Sequence, residues 1–124
     1  MKWLKSLGFE YSVTVNVWLK LFVPESDEWK AEETACETFD KIADQFEARF
    51  DDYDEIKHVA CGSGYEIEAK QVYTVNVSAF DHEQAMKDAE EVFTQTVIYP
   101  DVEMSVEAND YEWVKEPCYE IVGE

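Results

Sequence analysis

The chain has 124 residues, 46% of them hydrophobic and 15% aromatic, and its 29 acids against 10 bases leave a formal net charge of −19. That length fits one domain, 1–124, and the aromatic content excludes a disordered acidic tail, which lacks the apolar material to offset chain entropy. Charge of this sign and size also argues against direct binding to nucleic acid or to an anionic membrane, both of which would repel it.

The first residues, Met1-Lys2-Trp3-Leu4-Lys5-Ser6-Leu7-Gly8, lack the apolar stretch of a secretory leader. The longest apolar runs, Val17-Trp18-Leu19 and Leu21-Phe22-Val23, are too short to cross a bilayer, so a cytoplasmic protein is expected. From Phe9 to Val23 every odd position is apolar, a period of two that predicts a half-buried strand ending at Pro24. Trp18 and Phe22 break its polar face and are candidate apolar contacts, for a partner or for a second copy of the chain.

Ser26 or Asp27 is placed to cap a long helix over about 27–50, with Ala35, Cys36, Phe39, Ile42, Ala43, Phe46 and Phe50 as one apolar stripe. Strands are expected at Ile56–Cys61, Tyr65–Ala69 and Tyr73–Ala79, with a turn or bulge at Gly62-Ser63-Gly64. Asp81 caps a second helix bearing Ala85, Met86, Ala89, Val92, Phe93 and Val97. Beyond Pro100, alternation at Val102, Met104, Val106 and Ala108 predicts a strand, and Asn109-Asp110 reads as a turn into a last strand with Tyr111 and Trp113. The order is that of an α+β ferredoxin-like β-α-β-β-α-β sandwich, both helices on one face of an antiparallel sheet, with an extra C-terminal strand. Thr14-Val15-Asn16-Val17 recurs as Thr74-Val75-Asn76-Val77, in step with two β-α-β halves.

The acids are not spread evenly. Residues 1–24 hold one acid and three bases and residues 56–80 two of each, whereas residues 25–55 hold 13 acids and three bases, and residues 81–124 hold 13 acids and two bases. On a helix running to residue 50, Glu33, Glu37, Asp40, Asp44, Glu47 and Asp51 form one line about 27 Å long on the side away from Phe39. Asp52 and Asp54 extend it, and Glu83 and Glu90 on the second helix are candidates for a second row. Like charges three and four residues apart cost about 0.2–0.5 kcal/mol each, a cost that alternating charges avoid, which makes this line a candidate partner-binding surface.

Catalytic and metal motifs are not found. His58 and His82 have no second ligand at metal spacing, and Asp51-Asp52-Tyr53-Asp54-Glu55 lacks the alternation and glycine of a calcium loop. Cys36, Cys61 and Cys118 include no CxxC pair and read as reduced thiols. No nucleophile elbow or phosphate loop is present, so the expectation is a non-enzymatic protein with no catalytic residue, cofactor or metal.

In size, charge and acidic helices the chain resembles the small acidic inhibitors that phages encode, among them anti-restriction DNA mimics and some anti-CRISPR proteins. That resemblance rests on no diagnostic motif and transfers no site residue. It implies occlusion of a basic, nucleic-acid-binding surface of a partner protein, in the host cytoplasm if the chain is phage-encoded. The alternative is a structural or regulatory module that assembles, as a homodimer for example, through the first strand or the C-terminal hairpin, its acidity serving solubility. A small-ligand or enzyme site on the open sheet face would need Thr14, Asn16, Glu66, Thr74 and Asn76 to converge.

Overall fold

A computed structural model describes residues 3–94 and 101–122, with side chains over 9–94 and 101–113. The elements run β1 (Trp3–Val23), α1 (Glu28–Ala43), β2 (Arg49–Cys61), β3 (Gly64–Ala79), α2 (His82–Thr94) and β4 (Glu103–Val122). The four strands form one open antiparallel sheet in the order β2-β3-β1-β4. Val97 and the side chain of Cys118 lie outside the described residues.

Period two in β1 does what it predicts. Tyr11, Val13, Val15, Val17 and Leu19 are buried and pack with Ala31, Ala35, Phe39 and Ile42 of α1 and Ala85, Ala89 and Phe93 of α2 in one core. Both helices therefore cover the same face, and the even positions of β1 look out on the other. The Thr-Val-Asn-Val repeats lie in the two central strands, with Thr14 directly opposite Thr74. Asp27 caps α1, its carboxylate accepting from the backbone N–H groups of Trp29 and Lys30, and Asp81 accepts from Gln84 N–H to cap α2. At the β2–β3 hairpin, Gly62 takes φ +58, the first central position of a II′-type turn. A Cβ on Gly64 would lie 2.2 Å from the Val23 carbonyl oxygen, so only glycine lets this turn close on the end of β1.

The strands expected at Tyr65–Ala69 and Tyr73–Ala79 are one continuous strand, β3, and two further expectations need correction. The helix expected to reach residue 50 stops at Ala43, with Asp44 as C-cap and Phe46 N–H bonding back to the Ala43 carbonyl. Phe46 is buried against Tyr73 and Phe93, and Arg49 begins an edge strand rather than a further helical turn. Phe46 and Phe50 follow Ile42 at four-residue steps as a helical stripe would, yet it is the connecting turn and the start of β2 that bring them against Tyr73. Register shifts in the β2–β3 ladder leave Asp51 and Asp54 as extra residues, so the positions matched to the inward residues Tyr73, Gln71, Ala69 and Ile67 are Phe50, Tyr53, Ile56 and His58. β2 therefore faces the core at steps of three from Phe50 to Ile56.

The expected C-terminal hairpin is likewise one strand. Thr14 pairs with Asp110 and Val15 with Ala108, so Asn109 is an extra, bulged residue and not a turn. It flips the inward phase from Val102, Met104, Val106 and Ala108 to Tyr111 and Trp113, which lie opposite Val13 and Tyr11.

Candidate protein-interaction surface

With α1 ending at Ala43, the line of six carboxylates becomes two groups. Glu33, Glu37 and Asp40 lie on α1 and Asp44 caps it, spanning about 17 Å at 1.5 Å per residue. Glu47 follows in the connecting turn, exposed, while Asp51, Asp52 and Asp54 belong to the edge strand β2.

These acids differ in what holds them. Among the described residues, Glu33, Glu37, Asp44 and Glu47 are exposed and engage no lysine or arginine, and the Glu37–Lys41 pair that helical spacing permits is not formed. Asp40 is exposed but accepts the Tyr53 hydroxyl at 2.6 Å. That hydroxyl in turn accepts from the buried Gln71 Nε2 at 3.2 Å, which also donates to the Phe39 carbonyl at 3.1 Å, while Gln71 Oε1 accepts from the Tyr73 hydroxyl. Burial, reinforced by the Asp40 carboxylate, pushes the Tyr53 hydroxyl well above the ordinary phenol range, so it stays protonated and donates. Asp40 is thus the outer end of a polar chain that fastens α1 to β2 and β3.

The β2 acids are drawn toward the sheet. Asp51 accepts from Arg49 Nε at 2.8 Å and from the Thr74 hydroxyl, Asp54 pairs with Lys70 at 3.0 Å, and Asp52 accepts the Tyr53 backbone N–H. Two bulges and charged side chains on an edge strand are also how a sheet resists edge-to-edge pairing. On α2, Glu83 is exposed, but Glu90 is half-buried and accepts the backbone N–H of Ala108, beside the Asn109 bulge, at 3.0 Å. Glu90 thus has a local structural task that the sequence did not signal, because the bulge creates it.

On the open face, Trp18 and Phe22 are 36% and 44% exposed. Around them lie Lys20, paired with Glu66 and Glu68 at 3.4 and 3.2 Å, and Lys57, paired with Glu55 at 3.5 Å. The Lys20 ammonium is held protonated above its usual range by Glu68 first and Glu66 second. The five polar residues considered for a ligand site do not converge. Thr14 and Thr74 are neighbours, but Asn76 lies opposite Ser12 and Glu66 opposite Phe22, ten residues apart along β3, or about 33 Å at strand rise.

Sequence reasoning also missed the surroundings of His58. Its Nδ1 lies 2.7 Å from Glu28 and its Nε2 3.4 Å from Glu32, with Trp29 edge-on at 5.6 Å between ring centroids. The hydrogen bond with Glu28 raises its pKa above the ordinary 6.5, against the opposing effect of burial. Cys36 is half-buried, and burial, then Glu32 and Asp40, push its thiol up to about 11, which keeps it a poor nucleophile near neutrality. Cys61 is a free, exposed thiol. Among the described residues no three side chains are grouped to hold a metal ion, and no helix is long and apolar enough to cross a membrane. Compared with protein-family models, with curated proteins and with solved structures, the chain matches none.

Proposed function

We propose that this is a non-enzymatic acidic binding protein that occupies a basic, nucleic-acid-binding surface of a partner protein, with the solvent side of α1 as the face it presents. The observation that carries this reading is the separation of paired from unpaired charge. Among the described residues, the ion pairs made by lysine or arginine lie in the sheet, whereas Glu33, Glu37 and Asp44 stand exposed without one. Unpaired carboxylates on a rigid helix raise the rate of encounter with a basic surface, and they gain cationic neighbours there at little conformational cost.

The finer reading is counter-defence by imitation of nucleic acid, on a ferredoxin-like sandwich, which the element order and the strand order β2-β3-β1-β4 support. Four acids over about 17 Å are sparser than the phosphates of one DNA strand at about 3.4 Å, so the imitation is of charge sign and rod shape, not phosphate for phosphate.

The test is charge reversal where nothing inside the protein depends on the acid. E33K/E37K/D44K should retain the fold by circular dichroism yet lose capture of basic nucleic-acid-binding proteins, and duplex DNA or raised salt should release those proteins from the unaltered chain. Capture that survives both the triple reversal and high salt would overturn the proposal. D40K is a poor substitute, since it also removes the acceptor of Tyr53.

A further inference from the structure

Trp18 stands in the middle of the open sheet face, between two depressions. The larger, about 320 Å³, lies toward β4 and is lined by Trp18, Lys20, Glu68, Glu103, Met104 and Ser105. Ligand sites run from about 300 to 1,000 Å³, so this one has room for a single long side chain. Toward β2, the Lys70 ammonium already sits 5.7 Å from the centre of the Trp18 ring, kept in place by Asp54. The indole therefore takes a cation from within the protein.

We propose that the depression toward β4 takes an arginine side chain of a basic protein that meets the open sheet face, the side opposite α1, an inference that rests on the acidic-binding function proposed above. Glu68, Lys20 and Glu103 lie side by side on β3, β1 and β4. Lys20 is neutralised by Glu66 and Glu68, and among the described residues Glu103 engages no lysine or arginine. An incoming guanidinium would stack its plane on the exposed indole and direct N–H groups at Glu103 and the Ser105 hydroxyl, which face outward opposite Lys20 and Trp18. A planar fork of donors suits an aromatic wall beside a carboxylate better than the point charge of lysine does. A second copy of this chain is the wrong occupant. Its one arginine, Arg49, is held at the far edge of the sheet by Asp51 and by Thr74, at 2.8 and 3.1 Å.

The experiment is an NMR titration of the isotope-labelled full chain with N-acetyl-arginine amide and, in parallel, N-acetyl-lysine amide. The expected result is saturable shifts at the Trp18 indole N–H and the backbone amides of residues 103–105, with arginine about three- to fivefold tighter than lysine. Trp18→Leu and Glu103→Gln should each weaken the arginine probe at least about threefold, while Trp18→Phe keeps most of the affinity. Spectra unchanged elsewhere establish that each variant is folded. Shifts confined to the α1 acids, equal affinity for the two probes, or indifference to Trp18→Leu would overturn the inference. Because this probe reports on the sheet face alone, a failure here leaves the reading of α1 to its own charge-reversal test.

Discussion

On the open face of the sheet, Lys20 lies between Glu66 and Glu68, Lys57 beside Glu55, Lys70 beside Asp54 and Arg49 beside Asp51, whereas on α1 the exposed Glu33, Glu37 and Asp44 meet no lysine or arginine. Both faces are rich in acid, so composition does not separate them; geometry does. Antiparallel pairing sets side chains of neighbouring strands about 5 Å apart, which lets a lysine on β1 reach acids on β3. A surface helix offers its side chains only their own neighbours three and four residues away, and here the charged ones are acids apart from Lys30 and Lys41, neither of which forms an ion pair among the described residues. The acids of β2 and β3 are engaged within the protein, whereas Glu33, Glu37 and Asp44 of the α1 region, like Glu103 on β4, meet no lysine or arginine among the described residues. That contrast is why α1 is the face assigned to the partner, and why an arginine pocket on the sheet has to rest on Trp18 and Glu103 instead of on net charge.

The strongest way to break the comparison is to cut what joins the two layers. Gln71 is fully buried on β3 and links Phe39 of α1, Tyr53 of β2 and Tyr73 of its own strand. Gln71→Leu should cost about 1–3 kcal/mol, because the Tyr73 hydroxyl loses its acceptor in the core. Adding Tyr73→Phe should recover part of that loss, so urea midpoints of the two single variants and the double form a cycle. Equal loss in single and double variants would mean that the polar chain does not bind the layers.

A smaller effect, of opposite sign on the two faces, sharpens the contrast. Neutralising E33Q/E37Q/D44Q removes the like-charge neighbours along α1 and should stabilise the domain by about 0.6–1.5 kcal/mol at low salt, fading as salt screens them. Lys20→Gln on the sheet should instead lower stability slightly, since Glu66 and Glu68 are left side by side. Matched melting curves at low and high salt decide it; a loss of stability in the α1 variant would show that those acids are paired in solution.

The smallest effect concerns the seam where α1 meets β2. His58 lies between Glu28 and Glu32, and its folded pKa is raised above 6.5. A raised pKa means that the protonated ring stabilises the fold. Its contribution is complete below the unfolded value and is lost as pH climbs through the folded one. Urea midpoints should therefore fall as pH climbs above about 6.5, and His58→Gln should flatten that slope. An unchanged slope would place the pH dependence elsewhere.

Much of this was legible in the residues themselves. Alternation from Phe9 to Val23 identified β1 and its buried face, Asp27 and Asp81 announced two helix starts, and the unevenness of charge along the chain could be counted. Those features depend on a residue and its near neighbours, through the pleat, the cap and the sign of a side chain. What tertiary structure decided was where the local patterns stop. Bulges at Asp51 and Asp54 gave edge strand β2 an inward spacing of three, and the one at Asn109 reversed the phase of β4 within a single strand. Neighbouring strands dictate both, and no local rule reports on them. The same pairing gave Asp51, Asp54 and Glu90 partners inside the protein and left Glu33, Glu37 and Asp44 to the solvent, because availability depends on what folds up beside a charge and not on the charge alone.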